Sequence, residues 1–289
     1  MIAVGNGPPL VLVPGFQGRW EYLRPAIDAL AEKFRVLTFP LSGEPGSDRS
    51  VDASLGFEND ARQVLSVLDR CGLASAIICG VSFGGLPALR VAAAHPDRTR
   101  ALVLVSTPGP TWRLRPRHRL YVRAPLLFGP LFFVESPFRL GPEMSAALPD
   151  LGARARFAGR QLASFIRRPW SPSRMAARAS LVDGVDVGAE CAAIRVPTLL
   201  VTGEPALDRV VPVDSTLAYL ALVANARHRT LHATGHIGLL TRPQAFAAIL
   251  DEFVSDLSSR QQQDGTCGVP GQAAGPAEPA ATGPFHATL

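Results

Sequence analysis

The sequence predicts an α/β fold: a doubly wound, mostly parallel sheet interrupted by an inserted helical unit. Three observations carry that prediction. Short apolar runs alternate with segments of helical periodicity. One strand-to-helix junction, Cys79-Gly80-Val81-Ser82-Phe83-Gly84-Gly85, sets a serine between glycines. A third stretch, Pro110–Ser180, is rich in Arg, Pro and Phe and holds no convincing strand.

The elements follow in order. Leu10–Val13 is an apolar run closed by Pro14-Gly15, the pattern of a strand buried on both faces. Arg19–Lys33 has helical spacing, with Leu23, Ile27 and Leu30 on one face. Phe34–Phe39 is a strand, and Leu41–Asp52, full of Ser, Gly, Pro and Asp, is a loop. Glu58–Cys71 is a helix with Val64, Leu65 and Leu68 as its stripe. Ala76–Cys79 is a strand, Leu86–His95 a helix and Ala101–Val105 a strand. After the insertion come strands at Thr198–Val201 and up to Arg229–His232, then a helix over Pro243–Leu257. The expected division is a core over residues 1–109 and 191–257, a helical insertion over 110–190, and a disordered tail over 258–289, where Gly, Ala and Pro replace any apolar period.

Composition narrows the class. The 289 residues are 47% hydrophobic and 18% charged, enough to bury a sizeable core. A membrane span needs about 20 apolar residues. The longest candidate, Ala124–Val134, is shorter and is broken by Pro125, Gly129 and Pro130. Cys71, Cys79, Cys191 and Cys267 have neither metal-ligand nor disulfide-framework spacing, and Met1–Leu12 has no signal-peptide pattern. The expected compartment is the cytoplasm. Lys33 is the only lysine, a bias typical of genome composition, and no nucleic-acid-binding module accompanies the arginines. Their placement is uneven: Pro110–Ser180 holds 13 Arg against Glu135, Glu143 and Asp150, a formal +10, while the remainder carries 16 basic against 21 acidic residues, a formal −5.

Gly80-Val81-Ser82-Phe83-Gly84 is the sharpest chemical signal. A tight strand-to-helix turn holds its serine in a strained conformation, and side chains on the flanking glycines clash with the turn. A serine hydroxyl needs a base. His95 ends the helix after Ser82, His118 lies in the insertion and His286 in the tail. His236, after Gly235, sits in a loop expected at the carboxyl edge of the strands, the edge that also carries Ser82. His232, at the end of the strand itself, is the rival. The base in turn needs a carboxylate. The loop after Thr198–Val201 offers Glu204 and Asp208, while Asp214 is placed to cap the following helix. Two backbone N–H groups for a developing oxyanion come from Phe83, next to Ser82, and from Phe16 in the Pro14–Gly18 loop.

With these segments in this order, the chain resembles the α/β-hydrolase superfamily from about Leu10 to Leu257, with the insertion in the cap position. The resemblance implies nucleophile Ser82, acid Asp208 and base His236 in the order Ser…Asp…His. It favours Asp208 because Pro212 follows four residues later, and His236 because Gly235-His236 resembles the family's Gly-His. Arg98–Val105 leading into Ser106-Thr107, and Pro197–Gly203, match neighbouring family segments. The chain departs from the family in three places. Pro14-Gly15 stands where His-Gly is usual. The acid loop is two residues longer than Gly-Glu-x-Asp, which keeps Glu204 in view. Only Met1–Pro9 precede Leu10, so the sheet is expected to lack its first edge strands unless they lie upstream.

The implied activity is serine hydrolysis of a small-molecule carboxylic ester or thioester through an acyl-enzyme, without metal or organic cofactor. A serine at the elbow argues against epoxide hydrolases and haloalkane dehalogenases, which use Asp there. Acyl transfer, perhydrolysis and C–C hydrolysis use the same residues, and a non-catalytic ligand-binding protein is the alternative of another class. Leu126, Leu127, Phe128, Leu131, Phe132 and Phe133 are candidates for an apolar entrance or for the insertion's own core.

Overall fold

The computed structural model describes residues 1–110 and 112–266. The chain divides into two compact units, Met1–Phe253 and a second beginning at Val254. The first is built on seven strands: β1 (Ile2–Val4), β2 (Pro9–Val13), β3 (Arg35–Thr38), β4 (Ala76–Val81), β5 (Thr99–Val105), β6 (Thr198–Thr202) and β7 (Ala226–Thr230). They form one sheet in the order β1-β3-β2-β4-β5-β6-β7. Every neighbouring pair is parallel except β1 with β3. The expected doubly wound, mostly parallel sheet is present.

Burial explains which strands were easy to read. β4 is buried along its whole length, and β2 is buried from Leu10 to Val13. Strands covered on both faces become continuous apolar runs. β7 (Ala-Arg-His-Arg-Thr) is only half-buried, as an edge strand with one neighbour allows. The expected loss of the first edge strands is not complete, because one short strand, β1, precedes Leu10. Its three residues pair antiparallel with Val36–Thr38 and are too few to show a hydrophobic period.

Helices cover the sheet: α1 (Arg24–Ala31) after a 3-10 turn at Trp20–Leu23, α2 (Glu58–Arg70) and α3 (Gly85–Ala94). Between β5 and β6 the described residues make six helices and no strand. These are α4 (Pro116–Arg123), α5 (Pro125–Val134), α6 (Ser136–Ala147), α7 (Leu151–Arg167), α8 (Pro172–Val182) and α9 (Gly188–Ala193). α10 (Val213–Leu217) and α11 (Gly238–Thr241) are short, and α12 runs from Pro243 to Thr266. It therefore passes the expected end at Leu257, so part of the stretch expected to be disordered is helical. The rest of that stretch, from Cys267 and including His286, lies outside the described residues. Among the described residues, no helix is long and apolar enough to cross a membrane.

Candidate active site

Four loops at the carboxyl edge of the sheet supply the site. β2 and β4 are neighbours, with Val13 paired to Gly80, so the loops that leave them must run side by side. Gly84 is needed for that approach, because a Cβ there would lie 2.4 Å from the carbonyl oxygens of Val13 and Pro14. β4 ends in extended backbone at Val81, and a 3-10 turn over Ser82–Gly84 starts at once. Ser82 takes φ +52°, a left-handed conformation that costs a non-glycine residue about 1–2 kcal/mol. Its side chain thereby reaches the sheet edge while remaining 5% exposed.

The second pair of loops is equally close. Gly235 lies against the Asp208 loop, and a Cβ on it would meet Leu207 O at 2.5 Å and Asp208 N at 2.8 Å. His236 follows directly. Its Nε2 lies 3.2 Å from Ser82 Oγ and its Nδ1 lies 3.3 Å from Asp208 Oδ2. Asp208, held by backbone N–H donation from Val210 (3.0 Å) and Val211 (2.9 Å) to Oδ1, faces His236 as a carboxylate that only accepts. Nδ1 therefore carries the proton, and Nε2 is left to accept from the Ser82 hydroxyl.

Burial opposes charge on both partners, and their pairing outweighs it. Asp208 stays below the ordinary carboxylate range because His236 and the two backbone donors compensate for its desolvation. Burial likewise works to lower His236, yet the facing Asp208, the hydrogen bond to it and the nearby Glu143 hold the imidazole above its usual value.

The rival residues are elsewhere. Glu204 accepts from Ala233 N at 2.8 Å and approaches His232 Nδ1 at 3.6 Å, and the His232 side chain is 83% exposed. His95 caps α3, and His228 Nε2 pairs with Thr202 Oγ1 at 2.9 Å. Asp214 sits within the first turn of α10 and makes no capping hydrogen bond, contrary to the expected cap. Phe83, second in its 3-10 turn, has an N–H with no acceptor inside that turn. Its ring packs 5.4 Å from that of Phe16, and Gly15 lies against the Ser82 side chain.

Two residues of the insertion reach this edge, and local sequence did not mark either. Glu143 of α6 is fully buried and accepts from Ile237 N at 2.9 and 3.2 Å, bracing the residue after His236. Burial raises its pKa, partly countered by donation from the Gly235 and Ile237 backbone. Arg178 of α8 donates to Phe16 O (3.0 Å), Ser42 O (3.2 Å) and the buried Glu44 carboxylate (2.8 Å), pinning the Pro14–Gly18 loop. The available hint was compositional: Glu143 is one of three acids among 13 arginines.

The candidate entrance residues divide. Leu126, Leu127 and Leu131 face solvent. Phe128 and Phe132 pack on the Tyr121 ring, and Phe133 packs separately on Phe165 and Trp170. A cavity of about 350 Å³ lined by Trp112, Arg113, Arg115, His118 and Pro212 adjoins the Asp208 loop through Val210. Among the described residues, no group of three His, Cys, Asp or Glu side chains is arranged to hold a metal ion.

The sequence profile of the alpha/beta hydrolase fold family matches residues 8–243. The chain belongs to that family. This α/β hydrolase is 28% identical over 254 residues to a pimeloyl-[acyl-carrier protein] methyl ester esterase of Aeromonas hydrophila, covering 86% of this chain and 96% of that protein. It is 26% identical to a 2-hydroxymuconate semialdehyde hydrolase of a Pseudomonas species, covering 87% and 88%. The enol-lactonase of Burkholderia xenovorans shares its fold, with a TM-score of 0.70 at 22% identity over 88% of this chain and 95% of the other.

Proposed function

We propose that this α/β hydrolase cleaves a carboxylic ester or thioester through an acyl-enzyme on Ser82. The observation that carries the reading is the continuous contact from Ser82 Oγ through His236 to Asp208, at 3.2 and 3.3 Å. The methyl ester esterase name of the Aeromonas relative points the same way.

His236 Nε2 takes the Ser82 proton as Oγ bonds to the acyl carbonyl carbon. Asp208 stabilises the imidazolium that forms. The carbonyl oxygen, now an anion, accepts from the N–H groups of Phe16 and Phe83, which the Gly84 approach and the Arg178 brace hold at the same edge. The intermediate collapses when the bond to the alcohol or thiol breaks and His236 returns its proton to the departing atom. A water deprotonated by the same Nε2 then attacks the acyl-enzyme, releasing the acid and restoring the Ser82 hydroxyl. Each proton is handled by His236. The helices over residues 110–190 act as a cap, which the Glu143 and Arg178 contacts tie to the reacting loops.

The test is a fluorophosphonate reaction followed by intact mass and peptide mapping. A single adduct on Ser82, absent from Ser82→Ala, is expected, together with turnover in an ester and thioester panel that the same substitution abolishes. No adduct on folded protein overturns the proposal.

A further inference from the structure

Large apolar side chains in solvent are concentrated on one part of this molecule. Among the described residues, nine of the thirteen that are exposed lie on α4–α7. Leu127 (72% exposed), Leu131 (45%), Val134 (65%) and Phe138 (76%) recur at intervals of four, three and four. The first three share one face of α5, and Phe138 follows in the first turn of α6, across the turn at Glu135 whose carbonyl accepts from Phe138 N and Arg139 N. The α5 sequence Pro-Leu-Leu-Phe-Gly-Pro-Leu-Phe-Phe-Val contains no charged or hydrogen-bonding side chain. Such a stripe ordinarily marks an interaction surface.

Charge selects the occupant. The stripe lies in the segment with formal charge +10, on a chain whose remainder is −5. A preference for Arg over Lys explains the choice of cation and leaves its placement unexplained. All three of the segment's acids are engaged, Glu143 on Ile237, Glu135 with Tyr121 and Arg139, and Asp150 on Ala153 N at the start of α7. Arg117, Arg156 and Arg168 are about half exposed or more, and their ion pairs are long, at 3.7–3.8 Å. Exposed pairs of that kind are worth little and yield readily to phosphate. A second copy of the chain would set two cationic faces together. An acidic protein would leave the uncharged α5 stripe without polar partners to match.

We propose that the α5–α6 face docks on an anionic phospholipid bilayer, its stripe entering the acyl boundary while exposed arginines of the segment, such as Arg117 and Arg156, hold lipid phosphates. The surface would deliver the hydrolase to substrates that partition into membranes.

The test is co-sedimentation of the full chain with phosphatidylcholine vesicles, with and without about a third phosphatidylglycerol. Expected are binding to the anionic vesicles only, weakening several-fold between low and high salt, and a loss of about tenfold or more in a Val134→Ser/Phe138→Ser double variant. That variant should keep the wild-type circular dichroism and soluble-ester turnover, and the binding readout stands whether or not Ser82 is catalytic. Absence of wild-type binding overturns the proposal, as does equal binding by the variant. Retention on polyglutamate without vesicle binding overturns it in favour of an acidic protein. A concentration-dependent dimer abolished by the variant, again without vesicle binding, overturns it in favour of self-association.

Discussion

Glu143 offers the most direct probe of how the insertion and the core act together. Its carboxylate is buried and accepts from the backbone on both sides of His236, from Ile237 N at 2.9 and 3.2 Å and from Gly235. Glu143→Ala leaves the Ile237 donor without an acceptor. An unsatisfied buried group costs about 1–3 kcal/mol. For a domain of this size, at about 2–4 °C per kcal/mol, the thermal midpoint should fall by roughly 2–12 °C. Glu143→Gln separates bracing from charge, because the amide oxygen still accepts from Ile237 N. Charge on Glu143 helps hold the His236 imidazole above its ordinary value. Glu143→Gln should therefore move the acid limb of kcat/KM for a soluble ester to lower pH, since the neutral base survives further into acid. Stability should follow the carboxyl's own titration. Its folded pKa is raised, so its contribution is fully present below the ordinary glutamate range and is lost as pH rises through the folded value. Glutamine does not titrate. The midpoint of Glu143→Gln relative to wild type should accordingly improve as pH rises above the ordinary glutamate range. An acid limb that stays in place or moves to higher pH would refute the electrostatic coupling. Unchanged stability in Glu143→Ala would refute the brace.

The other outcomes rest on single contacts. Ser82→Ala and Ser82→Gly should both be inactive, and glycine, free of the Cβ penalty at φ +52°, should be the more stable by about 1 kcal/mol in denaturant titration. Asp208→Asn should cut kcat by about 10⁴, as loss of the orienting carboxylate does in serine proteases, while Glu204→Gln should leave it within a few-fold. Equal losses in the two would reassign the acid. Gly84→Ala forces a Cβ to within 2.4 Å of two backbone carbonyls and should destabilise the fold by about 2 kcal/mol or more, measured by thermal melting. Arg178→Ala strands the fully buried Glu44, a change that ordinarily costs about 3–5 kcal/mol; Arg174, 3.0 Å from the same carboxylate, should hold the loss to the lower end.

The parallel strands were legible because burial on both faces makes β2, β4, β5 and β6 continuous apolar runs. The turn at Ser82 was legible for a related reason, since strand, turn and helix follow one another within a few residues and the glycines stand at fixed spacing. β1 escaped because a three-residue edge strand has no period to detect. The extension of α12 past Leu257 escaped because Ser, Arg and Gln continue a helix without an apolar stripe. Between Asp208 and Glu204 the residues alone left a choice. The backbone settles the contacts: Glu204 O accepts from Asp208 N, turning the chain so that Asp208 faces His236 while the Glu204 carboxylate serves Ala233 N.

Local order in the chain thus carried the fold class, the elbow at Ser82 and a short set of partners for it. Period and turn chemistry act over a few residues and leave their mark there. Contacts made across 94 residues, from Glu143 to Ile237, or across 162, from Arg178 to Phe16, leave no such mark. They exist because the packed helices bring a buried charge to a backbone group that has no other partner. Only the tertiary structure decides which charges those are, since desolvation and pairing depend on what surrounds a side chain in space.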